Sequence, residues 1–399
     1  MTPASPGPLP PLRGLIAQNP HCPSALFEHL AGSQDASVRA AAARNRWASD
    51  RVLANLATDS DPSVRQAVAG NPNCPSAAIV SLTADGEDSI VLTAGSNPRC
   101  SEDRLMELAL SRRVMARVGV AGNPRCPPPL LERFVTDEDR RVRHSALRNA
   151  STPPERLNFR VDRHSFGPRQ LLARNPSTPP KLLGHLAKGD LSLIRAAVAR
   201  NSHAPPWVLA MLVNDEDEVV RAAALRHQSV PRELLRAAAT SPDRVARRAS
   251  ASNPLCPPPL LRALATDASP AVRAAAAVHP LLPGDLALWV AADDRAEVRR
   301  AAAHNPRALP GLLTKLAADA EGSVRVAVAF HATAWPELLA GLAHDELAAV
   351  RWAVARNSAT PFDVQCELLD DHDPSSRVAL AAWSRWGEIL TLLEHLSPG

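Results

Sequence analysis

The chain has 399 residues, 45% of them apolar but only 3% aromatic, no tyrosine, and a formal net charge of +4. It contains no run of 18 apolar residues and no secretion signal, which argues against a membrane-spanning helix and leads to the expectation of a cytoplasmic protein. The charge excess is too small to mark a polyanion-binding protein, and lysine occurs only at Lys181, Lys188 and Lys315, so nearly all the positive charge is arginine.

Residues 1–11, MTPASPGPLPP, are proline-rich without an apolar run and read as a flexible tail. Residues 12–18 read as the second half of a truncated unit that caps the array. From Asn19 onward the chain repeats. Steps of 26 give Asn45, Asn71, Asn97, Asn123, Asn149, Asn175, Asn201, His227, Asn253, His279, Asn305, His331 and Asn357, with no insertion. Steps of 26 from Arg13 land on arginine in 14 of 15 slots, Val91 being the exception. A proline follows the Asn slot by four residues in many units, among them Pro127, Pro179 and Pro257, and fixes a second point of the same frame.

Each unit spells two short helices. Thr152-Pro153-Pro154-Glu155 has the form of an N-cap, a proline at the first helical position and a capping-box glutamate. Leucines such as Leu260, Leu261 and Leu264 form one apolar stripe. A turn such as Asp267 to Pro270 ends the first helix and caps the second, which runs through Val272, Arg273 and a block of alanines. Helices this short are marginal alone. Each unit needs its neighbours to bury its leucines, and a continuous stack is expected over residues 19–382, closed by a capping helix over 383–399.

The pattern Asn-Pro-x-Cys/Thr-Pro-x-x-Leu-Leu-x-x-Leu-Ala-x-Asp followed by Val-Arg-x-Ala-Val-Ala resembles the leucine-rich repeat variant, a relative of HEAT repeats, over roughly residues 12–382. The resemblance implies an all-α, right-handed α-solenoid of about fourteen two-helix units, some with a 3-10 segment in place of one helix. One member of that family carries an iron-sulfur cluster in a separate N-terminal segment, which has no counterpart in this sequence. HEAT-like families include adaptors, DNA glycosylases and chromophore lyases, so the resemblance selects no reaction.

Three stretches break the pattern. The turns near 85–96 and 111–122 are lost, and in the unit 149–174 the segment Leu157 to Arg169 loses its third leucine and its acidic turn. That segment brings Arg156, Phe159, Arg160, Arg163, His164 and Phe166 close together in sequence, and it reads either as a binding insert or as a decayed repeat.

The arginine slot (Arg39, Arg65, Arg143, Arg221, Arg273, Arg299, Arg325 and Arg351 among others) is expected to form a structural ladder, each arginine paired with the acid six residues before it, as Asp267 precedes Arg273. Cys22, Cys74, Cys100, Cys126 and Cys256 share one slot. A thiol at a helix N-terminus could ionise easily, but sulfurs one helix spacing apart cannot share a metal ion, so these are read as small buried residues. His227, His279 and His331 stand in the Asn slot as polar substitutes rather than ligands. No catalytic motif is present, and a non-enzymatic, monomeric protein without cofactor or metal is expected.

Two slots on the second helix vary and lie four apart, on one face. By analogy with HEAT solenoids this face is the concave one. It carries Arg148, Arg174, Arg200 and Arg226 in four consecutive units, with His144 and Gln170 beside them, then Arg300 with His304, Phe330, and Trp352 with Arg356. Arginine at a helix end can also cap its last carbonyls, so capping competes with partner binding as the reason for the stripe. If it binds, the expected function is a scaffold for a protein or acidic peptide. The alternatives are nucleic-acid backbone binding of the glycosylase type and, more weakly, a chromophore lyase or subunit chaperone.

Overall fold

The computed structural model describes residues 12–19, 22, 24–157, 166–369 and 371–373. The proline-rich tail, Phe159, Arg160, Arg163, His164 and the 383–399 helix lie outside the described residues. The described residues fall into two compact units, one running to Ser151 and joined by residues from Gln365 on, the other Thr152–Val364.

Among the described residues there are α-helices, one 3-10 turn and no strand. Within each unit the fold is an all-α repeat stack. The helices are seven to nine residues long because each half-repeat is closed at both ends by the sequence. In the repeat from Asn253, the first helix Pro258–Ala265 follows Pro257, and the second, Pro270–Ala277, ends before His279. Leu261 and Leu264 of the first helix and Val272, Ala276 and Ala277 of the second are buried. Second helices pack directly on the second helices of neighbouring repeats, and first helices lie more loosely against first helices. The alanine-rich second helix permits that close approach, since a methyl group adds little to the helix radius.

The Asn slot is the central bolt of the stack. Asn71 is buried and donates Nδ2 to the carbonyl oxygens of Ala43 at 2.7 Å, near the end of the helix Ala36–Arg44, and of Asn45 at 2.9 Å, the slot residue that opens the preceding repeat. Its Oδ1 accepts the backbone N–H of Asn73 at 2.8 Å. Asn45 does the same toward Ala17 and Asn19, so the helix Leu12–Gln18 takes the place of a full preceding repeat. One amide therefore bonds three backbone groups around a helix end, where the last carbonyls have no intrahelical partner.

His227, His279 and His331 fill the same place with two of those bonds. Nε2 of His279 reaches the Asn253 carbonyl oxygen at 2.9 Å, and Nδ1 accepts the Leu281 N–H at 3.1 Å. A backbone N–H can only donate, so Nδ1 must be bare and the proton sits on Nε2. The ring is therefore neutral.

Two sequence expectations need correction. The residue before the slot proline is not the N-cap: the proline itself is, as at Pro127, Pro179 and Pro257. The Thr178 hydroxyl turns back instead and donates to the Leu172 carbonyl oxygen at 2.6 Å. In the irregular unit the Thr152-to-Glu155 segment yields only a 3-10 turn, Pro154–Leu157, anchored by the fully buried Leu157.

Candidate functional site

Two sets of arginines occupy the second helices, and their surroundings differ. The ladder set is consumed by the fold. Arg273 donates Nε and Nη2 to the two carboxylate oxygens of Asp293 at 2.7 and 2.9 Å, while Nη1 donates to the carbonyl oxygens of Asp267 and Ala268. The carboxylate partner is thus 20 residues ahead, in the next repeat, and the residue six behind supplies its backbone carbonyl; the expected pairing with the preceding carboxylate is wrong. Arg39, Arg65, Arg117, Arg195, Arg247, Arg299 and Arg325 repeat this geometry. Asp267 is accordingly held twice, its carboxylate by Arg247 and its carbonyl by Arg273. The paired side chains are well buried, and the flanking guanidinium holds a carboxylate such as Asp59 below its usual range.

Where the next repeat lacks the aspartate, the rung adapts. Ser241 stands in the slot facing Arg221, which turns to Asp243 instead. Gly189 faces Arg169, whose guanidinium lies where a side chain would be: a Cβ there would sit 2.5 Å from Nη2. Arg169 pairs with Asp190. Arg143, with arginine rather than aspartate 20 residues ahead, donates to the two carbonyls of its own turn. At Val91 the rung is inverted. The carbonyls of Asp85 and Gly86, which an arginine at 91 would serve, accept instead from Arg113 at 2.6 and 3.1 Å, and Arg113 also pairs with Asp88. Residue 111, the slot that would face such an arginine, is serine rather than aspartate.

The stripe arginines are different. Arg148, Arg174, Arg200 and Arg226 end their second helices and are exposed. Among the described residues none of their guanidiniums meets a carboxylate or a helix-end carbonyl, so the capping explanation finds no support in the geometry. Arg148 shares the helix Arg140–Arg148 with half-buried His144, whose imidazole is held below its usual pKa by burial and by Arg140, Arg143 and Arg148. Arg174 and half-buried Gln170 lie on Phe166–Arg174, which begins with exposed Phe166; Arg156 is exposed on the 3-10 turn.

Arg200 and Arg226 border a shallow depression of about 380 Å3, with Ser202, Gln228 and Pro254 on its rim. Burial and the neighbouring charges of Arg248 and Arg200 push Arg226 below its ordinary value. Arg248 escaped the sequence reading, although it occupies the variable slot of His144, Gln170 and Arg300, four residues before the slot of Arg200 and Arg226; alanine fills its slot in the adjacent repeats, and the stripe was followed along the other one.

Farther along, Phe330 and Trp352 meet edge to face with centroids 5.5 Å apart, and the Arg356 guanidinium lies over both rings, 4.8 Å from Trp352 and 5.8 Å from Phe330. Exposed Arg300 and His304 sit on and just after Ala296–Ala303, with the imidazole lowered by burial, Arg300 and His331.

The cysteines are buried at Cys74, Cys100, Cys126 and Cys256, and burial pushes the thiols up to about 11, or about 12 at Cys126. Desolvation therefore outweighs any help from the helix N-terminus, and these thiols stay protonated. Among the described residues no three His, Cys, Asp or Glu side chains gather where a metal ion could be held.

No family model matches the chain, and no curated protein matches it. Among solved structures, a leucine-rich repeat variant with a repetitive structural motif is 28% identical, covering 55% of this chain and 86% of its own, with a TM-score of 0.35. Kap95p bound to RanGDP is 11% identical over 97% of this chain and 57% of its own, TM-score 0.32. Importin beta is 12% identical over 98% and 56%, TM-score 0.22. The chain thus spans a little over half the length of the last two. It is a helical-repeat protein, and the 26-residue period with its bonded Asn and Arg slots carries that assignment.

Proposed function

We propose that the chain is a non-enzymatic scaffold that binds an acidic protein segment along the second-helix face of the Thr152–Val364 unit. The observation that carries this reading is the division of labour among arginines. Ladder guanidiniums spend their donors on carboxylates and carbonyls of the stack, whereas Arg174, Arg200, Arg226 and Arg248 hold exposed guanidiniums without an internal partner among the described residues. Burial, and after it the neighbouring charges of Arg248 and Arg200, disfavours the charged form of Arg226, and a bound anion would offset both.

The test is capture from source-cell lysate with and without nuclease, comparing the wild type with the triple variant Arg174→Ala, Arg200→Ala, Arg226→Ala. A protein retained after nuclease and lost in the variant is the expected result. Recovery of nucleic acid, or loss of all captured material on nuclease treatment, would replace this reading with backbone binding to a polyanion, for which a steep salt dependence is diagnostic.

A further inference from the structure

The basic edge is one side of a shallow trough. Leu193 and Val219 are 64% and 50% exposed, and each is the second residue of a second helix, Ser192–Ala199 and Glu218–Arg226. Each stands seven residues before an unpaired arginine, Arg200 and Arg226. Seven residues are two helical turns, so the apolar residue and the arginine share a face about 10 Å apart. Between them the floor is Ala196, Ala197, Ala222 and Ala223, all buried. On the next helix, Arg244–Ala251, Val245 packs against the cluster of Ala222, Leu225, Ala246 and Ala249, and Arg248 stands in the slot of Ala196 and Ala222, so the alanine floor ends at this helix with a further guanidinium beside Arg226.

This floor offers methyl groups and no donor or acceptor. An extended peptide laid on it would bury backbone N–H and C=O groups without partners, whereas an α-helix satisfies its own backbone. The width between the two edges matches a helix with its side chains, about 10–12 Å across. Resting on the scaffold reading above, we infer that the partner presents an amphipathic α-helix that lies across these repeats, with carboxylates along one edge against Arg200, Arg226 and Arg248 and apolar side chains along the other against Leu193 and Val219.

Fluorescence anisotropy on the full chain tests this with a fluorescein-labelled synthetic helix carrying a glutamate edge and a leucine edge on an alanine background. The controls are a shuffled peptide of the same composition and the same peptide broken by central prolines. The designed helix is expected to bind at least about tenfold more tightly than either control. The variant R200A/R226A weakens binding and flattens its salt dependence, while L193S/V219S weakens it and leaves the salt dependence in place. Equal binding of the shuffled or proline-broken peptide overturns the inference and leaves the scaffold reading standing. Failure of every peptide also overturns it, and the scaffold reading then rests on lysate capture alone. Displacement of the helix by an oligonucleotide at lower concentration overturns both.

Discussion

The second helices near Val91 and those near Arg200 use the same repeat for opposite ends. In the first region Asp88–Ser96 and Val114–Gly122 meet backbone to backbone: a Cβ at Gly119 would lie 2.6 Å from the Leu92 carbonyl oxygen and 3.3 Å from the Gly95 Cα. Gln66 donates to Thr93 at 2.6 Å and Ser96 to the Gly119 carbonyl at 3.3 Å, so the variable slots there are absorbed in helix contacts. In the second region the same slots carry alanines and unpaired arginines that face outward. A slot that varies between repeats is therefore free to serve either the stack or the surface, and only its neighbours show which.

Substitutions that force one region to behave like the other sharpen the contrast. The largest effect is expected from Gly119→Val, because the clash is with backbone that cannot swing aside; a loss of about 3 kcal/mol in urea unfolding is expected. A value near zero would mean the two helices are not in contact.

Next is Asp293→Ala. It leaves the largely buried Arg273 guanidinium without its carboxylate and should cost about 2–3 kcal/mol. Asp294 also touches Arg273 but is mostly exposed, and retention of full stability would show that it suffices as a partner.

A smaller effect concerns acid. Burial holds the His279 imidazole below its usual pKa, against the opposing bond to Asn253. The unfolded chain then takes up the proton more readily, so the stabilisation is complete above the unfolded imidazole pKa of about 6.5 and is lost as pH falls through that value toward the folded one. His279→Asn should add a second donor and about 1 kcal/mol at neutral pH, and should flatten this limb of a stability-versus-pH curve. An unchanged limb would place the acid response elsewhere.

The smallest effect is expected at the surface. Arg226→Ala removes a side chain without an internal partner among the described residues and relieves repulsion from Arg200 and Arg248, so thermal unfolding should move by no more than about 0.5 kcal/mol. A marked loss would return Arg226 to the structural set.

Much of the frame was legible because it recurs. Asn and Arg at a fixed 26-residue spacing gave the repeat, and the leucine and alanine stripes gave both helices. The arginine's partner was not legible for a definite reason. Residues six behind and 20 ahead occupy the same slot of adjacent repeats, so both are usually aspartate, and only the fold shows that one gives its carbonyl and the other its carboxylate. Arg113 stepping in for Val91 depends on reach between turns, which spacing does not encode. Of the candidate surface, Arg200 and Arg226 stood out because arginine recurs in their slot over four consecutive repeats, whereas Arg248 stands between alanines in its own. Leu193 and Val219 did not stand out, since apolar residues in a helix look like core until burial is known.

The doubly held aspartate acts as a ruler. From Asn45 to Asn149, and again at Asn201, Asn253, Asn305 and Asn357, the slot asparagine reaches carbonyls 26 and 28 residues back, and each regular ladder arginine a carboxylate 20 residues on. Removing or duplicating one whole 26-residue repeat from the regular run therefore delivers every bolt to an equivalent partner, while inserting or deleting a single residue misplaces each bolt that spans it. Such a chain can change length freely in whole words and hardly at all in letters, which is the physical form in which its period has survived without an insertion.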